Sequence, residues 1–402
     1  MNSIIVQKFG GSSLATLEHI KNVAKIIEHT YKENHPLVVV LSAMGDTTDK
    51  LINLGTELNP RYSKREMDAL LSTGEQVSVA LMAVALHGYG LPAVSLNAAQ
   101  AGIFAGGDFG NARIQKIVTE RIKQELERKN IVVITGFQGI NKYGDIATLG
   151  RGGSDTTAVA VACALGAEKC EIFTDVDGIY TADPNLVKTA EKLDEIGYDE
   201  MLELASMGAK VLHNRSVELA KKYNLNLVVK SSLQNNEGTV VKEKTMEKML
   251  MSGLAVDKNI AKITVIGMKD APGIAFKLFS LIAKKNIIVD IIVQTLGGSI
   301  KKDIAFTVST EDLPEALETL QKNQDFLAYE NLHYTENLAK LSVVGAGMTS
   351  NPGVAAAMFE ALYDAGINIK MISTSEIKIS VLIKEEDAKQ AANAVHDRLI
   401  RE

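Results

Sequence analysis

Between Ile4 and Leu233 the apolar positions fall in short runs separated by longer stretches of helical period. The runs are IIVQKF at 4–9, HPLVVVLSAM at 35–44, AVSLN at 93–97, NIVVITGFQGI at 130–140, CEIFTDV at 170–176 and LNLVVKSS at 225–232. A run such as 38–41 has no polar alternate, which suits a strand buried on both faces. Short β-branched runs alternating with helices predict an α/β block, a parallel or mostly parallel sheet with helices on both faces. Several strands end in glycine, serine, threonine or aspartate, at 10–13, 42–48, 136 and 174–178. Ligands of open α/β sheets sit outside the carboxyl ends of the strands, so these loops are the expected site.

A charged stretch, NNEGTVVKEKTMEKMLMSG, closes this block. After it the pattern repeats: Ala271-Pro272-Gly273-Ile274 matches Asn351-Pro352-Gly353-Val354, and Phe279 matches Phe359, at a constant offset of 80. Each copy reads strand, Pro-Gly turn, helix, strand and strand, with a helical segment nearby (311–323 or 385–399) to complete a ferredoxin-like βαββαβ unit. Which of those two helices serves which copy is open at this level. The expected organisation is a first domain at 1–240, a linker at 241–260, and modules at 261–335 and 336–402.

Composition narrows the field of partners. With 43 basic and 49 acidic residues the net charge is −6, so no basic excess exists to neutralise a phosphate backbone, and nucleic acid is not an expected partner. The N-terminus lacks a cationic leader followed by an apolar core, and the apolar runs fall short of the ~20 residues that span a bilayer. The expectation is a cytoplasmic protein with no membrane segment. Two cysteines, Cys163 and Cys170, cannot build a disulfide framework or a zinc site, and are expected to pack in a core.

Chemistry concentrates in five segments. Lys8-Phe9-Gly10-Gly11-Ser12-Ser13 joins a strand to a helix: adjacent glycines let backbone N–H groups approach a phosphate, and the lysine can follow a moving phosphoryl group. Gly150-Arg151-Gly152-Gly153-Ser154-Asp155 opens a helix. Its arginine can grip a carboxylate and Asp155 can orient a lysine, while a plain helix cap by Ser154 or Asp155 fits equally. Thr174-Asp175-Val176-Asp177-Gly178-Ile179-Tyr180-Thr181-Ala182-Asp183-Pro184 can frame a ribose, an adenine or Mg²⁺, or simply turn. Glu75 in Ser72-Thr73-Gly74-Glu75-Gln76 can hold an ammonium, and Lys210 in Met207-Gly208-Ala209-Lys210 can add a cation. His213 has no second histidine at ligand spacing and reads as structural.

In order, KFGGSS, SAMGDTTD, STGEQ, GRGGSDTTA, TDVDGIYTADP and MGAKVLH resemble the aspartate kinases of the amino-acid-kinase family, and the duplicated region resembles their paired ACT modules. The resemblance covers essentially the whole chain and does not extend to a fused homoserine dehydrogenase. It implies ATP-dependent phosphorylation of the β-carboxylate of L-aspartate, with Mg²⁺ carried by ATP and not by protein ligands. Lys8, ordered by Asp155, would stabilise the transferring group. Lys8, Gly10, Gly11, Ser12, Thr174, Asp175, Tyr180, Asp183 and Lys210 would line the ATP site. Aspartate would lie against Ser42, Thr48, Glu75, Arg151, Gly152 and Gly153, with Glu75 on its ammonium and Arg151 on a carboxylate. Pro184-Asn185 departs from the family pattern, which has a basic residue after the proline.

For the modules the resemblance implies lysine or threonine as effector, at Asp270, Asp290, Gln294, Asn368, Ile369, Thr374, Ser375 and Glu376. It also implies a homo-oligomer formed through the modules, and a start near Met246, Met249 or Met251 would give a separate regulatory chain. A helix cap by Asp270 and an edge-strand charge at Asp290 are the competing structural roles. A different acceptor, or a non-catalytic amino-acid sensor, are the competing functions. Lys8, Glu75, Arg151 and Asp155 standing together in one chain speak against the sensor.

Overall fold

The computed structural model describes residues 3–33, 35–206, 211–234, 236–243, 251–297, 301–345, 348, 351 and 353–400. These form two compact units. One holds the described residues up to Tyr180, with Glu191–Ser206 and those within 210–247; the other holds Thr181–Ala190 and those within 248–402.

The first unit is built on an eight-stranded sheet. Its order is Glu195–Gly197, Thr239–Lys242, Asn226–Ser231, Lys169–Thr174, Ile5–Phe9, Leu37–Leu41, Ile131–Thr135, Ala93–Leu96. All neighbours are parallel except Thr239–Lys242 against Asn226–Ser231. Alternation sorts the strands onto two buried faces. Ile5, Phe9, Leu37, Val39, Leu41, Ile131 and Val133 pack with helices Leu17–Lys32 and Lys64–Gly88. Val6, Val38 and Val40 are equally buried on the other face, where helix Gly153–Leu165 crosses the central strands.

One expected strand end holds and one expectation changes. The run at 130–140 ends its first strand directly before Gly136, as the glycine there implied. It breaks at Gly136-Phe137, where Phe137 takes φ 67, and Gln138–Ile140 joins a separate four-stranded sheet with Arg113–Ile117, Ile103–Gly106 and Ile146–Thr148. Helix Lys64–Gly88 is long and apolar enough to cross a membrane by length and composition, contrary to the reading that no apolar stretch reaches that length. Half of its apolar window is buried, and it encloses Asp68 and Glu75, so it serves as a core helix of this unit.

The second unit is a six-stranded antiparallel sheet in the order Ile292–Gly297, Lys301–Val308, Gly253–Lys269, Asn331–Val344, Lys378–Lys384, Met371–Thr374. The two central strands are long enough to serve both repeats, and their register shifts between Asp257 and Lys262 mark the changeover. Helix Leu313–Lys322 packs with Ile274–Ala283, and Ala388–Leu399 with Val354–Asp364, so each late helix serves its own copy. The fourth strand of the second copy is 253–257, which precedes the first copy and lies in the stretch expected as linker. One copy is therefore inserted within the other.

Thr181–Ala190 lies inside the first block in sequence yet packs in this second unit. Ala182 and Val187 are buried among Leu254, Leu341, Val381 and Val395. The Leu254 N–H donates to the Thr181 carbonyl at 2.7 Å, buried His396 lies 2.9 Å from Thr181 Oγ1, and Asn393 Nδ2 donates to Leu186 O at 3.0 Å.

Candidate active site

Strand alternation turns Lys8, like Val6, toward the face covered by helix Gly153–Leu165. There Lys8 Nζ lies 2.6 Å from Asp155 Oδ1 in the first helical turn. Lys8 is only 9% exposed, so its cation is held where solvent screens it little. The following turn is tight: a Cβ on Gly11 would stand 2.9 Å from the Ala43 carbonyl oxygen, and Gly45 N–H donates to Gly11 O at 2.9 Å. Glycine is the residue that permits this approach of two strand ends.

Helix Gly153–Leu165 begins without a side-chain cap. Its N-cap is Gly152, at φ 67, so Ser154 and Asp155 are first-turn residues and not the expected caps. A Cβ on Gly152 would sit 2.2 Å from the His213 ring. His213 supports that glycine from below and caps helix Asn214–Tyr223, accepting from Arg215 N–H at 3.3 Å. Burial pushes its pKa down, which favours the neutral ring that such acceptance requires. The uncapped N-terminus of Gly153–Leu165 presents its N–H groups and dipole to anions in the adjoining cavity.

Glu75 is 2% exposed on helix Lys64–Gly88. Its Oε1 accepts from Ala43 N–H at 3.0 Å, and its Oε2 has no hydrogen-bond partner among the described residues. Burial raises its carboxyl pKa to about 7, against which the Ala43 hydrogen bond works only partly. A ligand ammonium would supply the missing partner and favour the ionised form. One turn on, Ser78 Oγ donates to Ser42 O at 2.8 Å, fixing the end of strand Leu37–Leu41.

These groups open onto one cavity of about 860 Å³. Its lining includes Lys8, Gly10, Gly11, Ser42, Thr48, Glu75, Arg151, Gly152, Gly153 and Asp155, brought together from across 150 residues of sequence. Sequence reasoning missed Asp68, Asn111 and Phe137, which also line it. Asp68 had one available signal: it lies seven residues before Glu75, and so on the same helix face.

The remaining expected nucleotide residues stand outside this lining. Ser12 is exposed, though Ser13 Oγ donates to Ser232 Oγ at 2.7 Å, beside the end of strand Lys169–Thr174. Thr174 Oγ1 donates to Asp175 Oδ1 and Tyr180 OH to Asp177 Oδ1, both at 2.9 Å. Asp183 belongs with the second unit, where its Oδ1 accepts from Asn185 N–H at 2.8 Å. Lys210 lies outside the described residues. Among those described, no group of three or more His, Cys, Asp or Glu is placed to hold a metal ion. Cys170 is fully buried, and burial raises the half-buried Cys163 thiol to about 11.

In the second unit the expected effector residues divide between the two edge strands. Asp290 and Gln294 belong to the edge at Ile292–Gly297, and Asn368, Ile369, Thr374, Ser375 and Glu376 flank or end Met371–Thr374 at the other edge. Asp290 precedes its strand and pairs with buried Lys340 at 2.5 Å, while Asp270 pairs with Lys302 at 2.7 Å. Met246 and Met249 lie outside the described residues, and Met251 is buried in the core of this unit.

A buried lysine, a glycine turn, an uncapped helix N-terminus and an arginine loop thus meet at the carboxyl ends of an open sheet, a set of groups suited to neutralising and aligning anions. The model of the amino acid kinase family matches residues 3–231, and an ACT domain model matches 263–324 and 341–399. The aspartokinase of Geobacillus stearothermophilus is 52% identical over 98% of this chain and 96% of its own length. E. coli aspartokinase III, solved with aspartate and ADP in its R-state, superposes with a TM-score of 0.83 at 27% identity, covering 98% of this chain and 99% of that one. Its T-state, solved with lysine and aspartate, gives 0.80 at 27% identity over 99% and 100%. The chain belongs to the aspartokinases, a branch of the amino acid kinase family that carries ACT domains.

Proposed function

We propose that this kinase transfers the γ-phosphoryl group of ATP to the β-carboxylate of L-aspartate, giving 4-phospho-L-aspartate and ADP. This is the first step toward lysine, threonine and methionine. The observation that carries the reading is the single cavity joining the Lys8–Asp155 pair, Glu75 and the Arg151 loop. A carboxylate is already an anionic nucleophile, so the task is alignment and charge neutralisation. Its lining includes no histidine or cysteine; it offers cations including Lys8 and Arg151, glycine-rich turns, and the carboxylates Asp49, Asp68, Glu75 and Asp155, of which Glu75 alone has an oxygen that is both buried and unpartnered among the described residues and not already engaged with a lysine.

Lys8 neutralises the transferring group, held in line by Asp155. Glu75 Oε2 receives the substrate ammonium, Arg151 a carboxylate, and Ser42, Thr48, Gly152 and Gly153 shape the remaining walls. Thr174, Asp175, Tyr180, Asp183 and Lys210 serve the nucleotide, with Gly10, Gly11 and Ser12 on its phosphates. Mg²⁺, carried by the nucleotide and not by protein ligands, would add to the charge neutralisation that these residues supply at the phosphates. Lysine or threonine acts through the ACT modules, in a homo-oligomer in the cytoplasm; the relative solved with lysine and aspartate in its T-state supports lysine as the effector. The deciding test is an ADP-release assay with aspartate, glutamate, acetylglutamate and carbamate as acceptors, titrated with lysine and threonine. Turnover with another acceptor exceeding that with aspartate overturns the proposal.

A further inference from the structure

Helix Lys64–Gly88 is stitched to its surroundings at successive turns along one face. Arg65 pairs with Asp145 at 2.8 Å, Asp68 binds the loops beyond it, Ser72 O accepts from Gln138 Nε2 at 3.1 Å, Glu75 accepts from Ala43, and Ser78 donates to Ser42. The first three contacts reach the four-stranded sheet, and the last two reach the end of a strand in the large sheet. The helix thus spans the two elements that present the proposed substrate contacts.

Asp68 is the centre of this arrangement. It is 1% exposed, and every hydrogen bond it accepts comes from an uncharged donor: Gly110 N–H at 2.9 Å and Thr148 N–H at 2.7 Å on Oδ2, Thr148 Oγ1 at 2.8 Å on Oδ1. A buried carboxylate held by backbone N–H groups fixes their positions closely, since releasing any donor leaves charge desolvated and unpaired. Thr148 ends the strand from which 149–152 project. From the opposite side Arg215 donates to Leu149 O at 2.6 Å and to Ala112 O at 3.0 Å, and the His213 ring lies under Gly152. The segment bearing Arg151 is therefore clamped before, at and after its root, while Glu75 is two turns from Asp68 on the same rigid helix.

We infer that Asp68 and Arg215 are positioning residues that fix the separation of Glu75 from Arg151, and through it the preference for aspartate over its longer homologue glutamate. The inference rests on the substrate roles given above to Glu75 and Arg151. If those two groups hold the amino-acid end of the substrate, their spacing against Lys8 decides where the distal carboxylate falls relative to the phosphoryl group. One methylene is worth only about 10–200-fold in discrimination, so a frame loosened by less than a bond length removes much of it.

The test uses Asp68→Asn, which keeps shape but replaces one acceptor oxygen by a donor, and Arg215→Met, which keeps length but removes both donors. Steady-state constants for aspartate, glutamate and ATP, with thermal unfolding, are measured on the full chain beside Arg151→Ala. The expected result in both variants is a KM for aspartate raised about tenfold or more and an aspartate-to-glutamate kcat/KM ratio lowered about tenfold, with the KM for ATP within about twofold of the parent. Both variants keeping the parent ratio while melting earlier overturns the inference and leaves a purely structural clamp. If Asp68→Asn does not fold, Arg215→Met alone decides by the same ratio. An unchanged aspartate KM in Arg151→Ala overturns the substrate assignment itself, which separates the two failures.

Discussion

The two units treat charge in opposite ways. In the kinase unit the groups at the cavity are enclosed and pre-set: Lys8 lies against Asp155, Asp68 holds three donors, and Glu75 is buried with one oxygen bonded to the backbone. In the regulatory unit Asp270 and Asp290 are partly exposed and already paired, with Lys302 and Lys340, and the candidates at 368–376 stand at the other edge of the sheet from Asp290 and Gln294. Enclosure supplies electrostatic strength without reorganisation, as a reaction at one site requires. A sensor has a different need. It must bind its effector better in one arrangement than in another, which groups divided between two sheet edges can achieve by changing partners.

The sharpest break of this contrast is Lys8→Ala. A cation aimed at developing charge is worth about 10²–10³ in kcat, so turnover is expected to fall by that factor with little change in the KM for aspartate. Near-parent turnover would remove Lys8 from the chemistry. Next comes Arg151→Ala, where losing a charge-assisted contact of about 1.5–3 kcal/mol should raise the KM for aspartate by roughly 10–150-fold and leave ATP saturation unchanged. A shift in ATP saturation instead would reassign the loop.

The third effect is on pH. With the Glu75 carboxyl raised to about 7, the group is protonated below that value and cannot pair with the substrate ammonium. Between pH 8 and pH 6 the KM for aspartate should therefore rise about tenfold, the ratio expected for one titrating group. Stability runs the other way: the burial of neutral Glu75 favours the substrate-free fold at low pH, and that contribution is lost as pH rises toward and through about 7. Glu75→Gln should flatten both profiles, and a KM profile that keeps its slope in that variant would assign the titration elsewhere.

The smallest effect tests the regulatory unit. Asp290→Ala and Gln294→Ala should each weaken inhibition by lysine or threonine by about fivefold while uninhibited turnover stays near the parent's. They should differ in stability, because only Asp290→Ala leaves the buried Lys340 cation unpaired. Inhibition curves and melting curves on both variants separate sensing from packing, and parent-like inhibition in both would end the assignment.

Much of the kinase cavity was legible because its chemistry lies in contiguous loops at strand ends, each motif announced by glycines that the backbone needs, as at Gly11 and Gly152. What escaped was carried by packing. Gly136 marks the end of the first strand in the run at 130–140, but nothing there announces that Gln138–Ile140, after the positive φ of Phe137, joins a different sheet. Asp68 looked like any polar residue near a helix start, because its partners are two backbone N–H groups and a threonine hydroxyl 42 and 80 residues away. The repeat announced two modules, yet a strand shared between copies leaves no mark at an offset of 80, so the insertion of one copy in the other could not be read from pattern. The helix at Lys64–Gly88 escaped for another reason: polar residues interrupt its apolar stretch, so its length did not show in the runs, and its half-buried apolar window with the buried Asp68 and Glu75 identifies it as a core element.

The interleaving of the repeats also sets an order of events during synthesis. Gly253 pairs with Val344 and Asp257 with Lys340, so the strand at 253–257 leaves the ribosome about 90 residues before its partner. At about 5–20 residues per second it waits roughly 5–20 s with its ladder hydrogen bonds unmade. The inserted copy can meanwhile close on itself, leaving the outer copy to fold last around it. A ribosome stalled, or a chain cut, beyond the inserted copy would leave 253–257 as an open edge able to pair with other chains, a hazard created by topology and independent of any residue in either site.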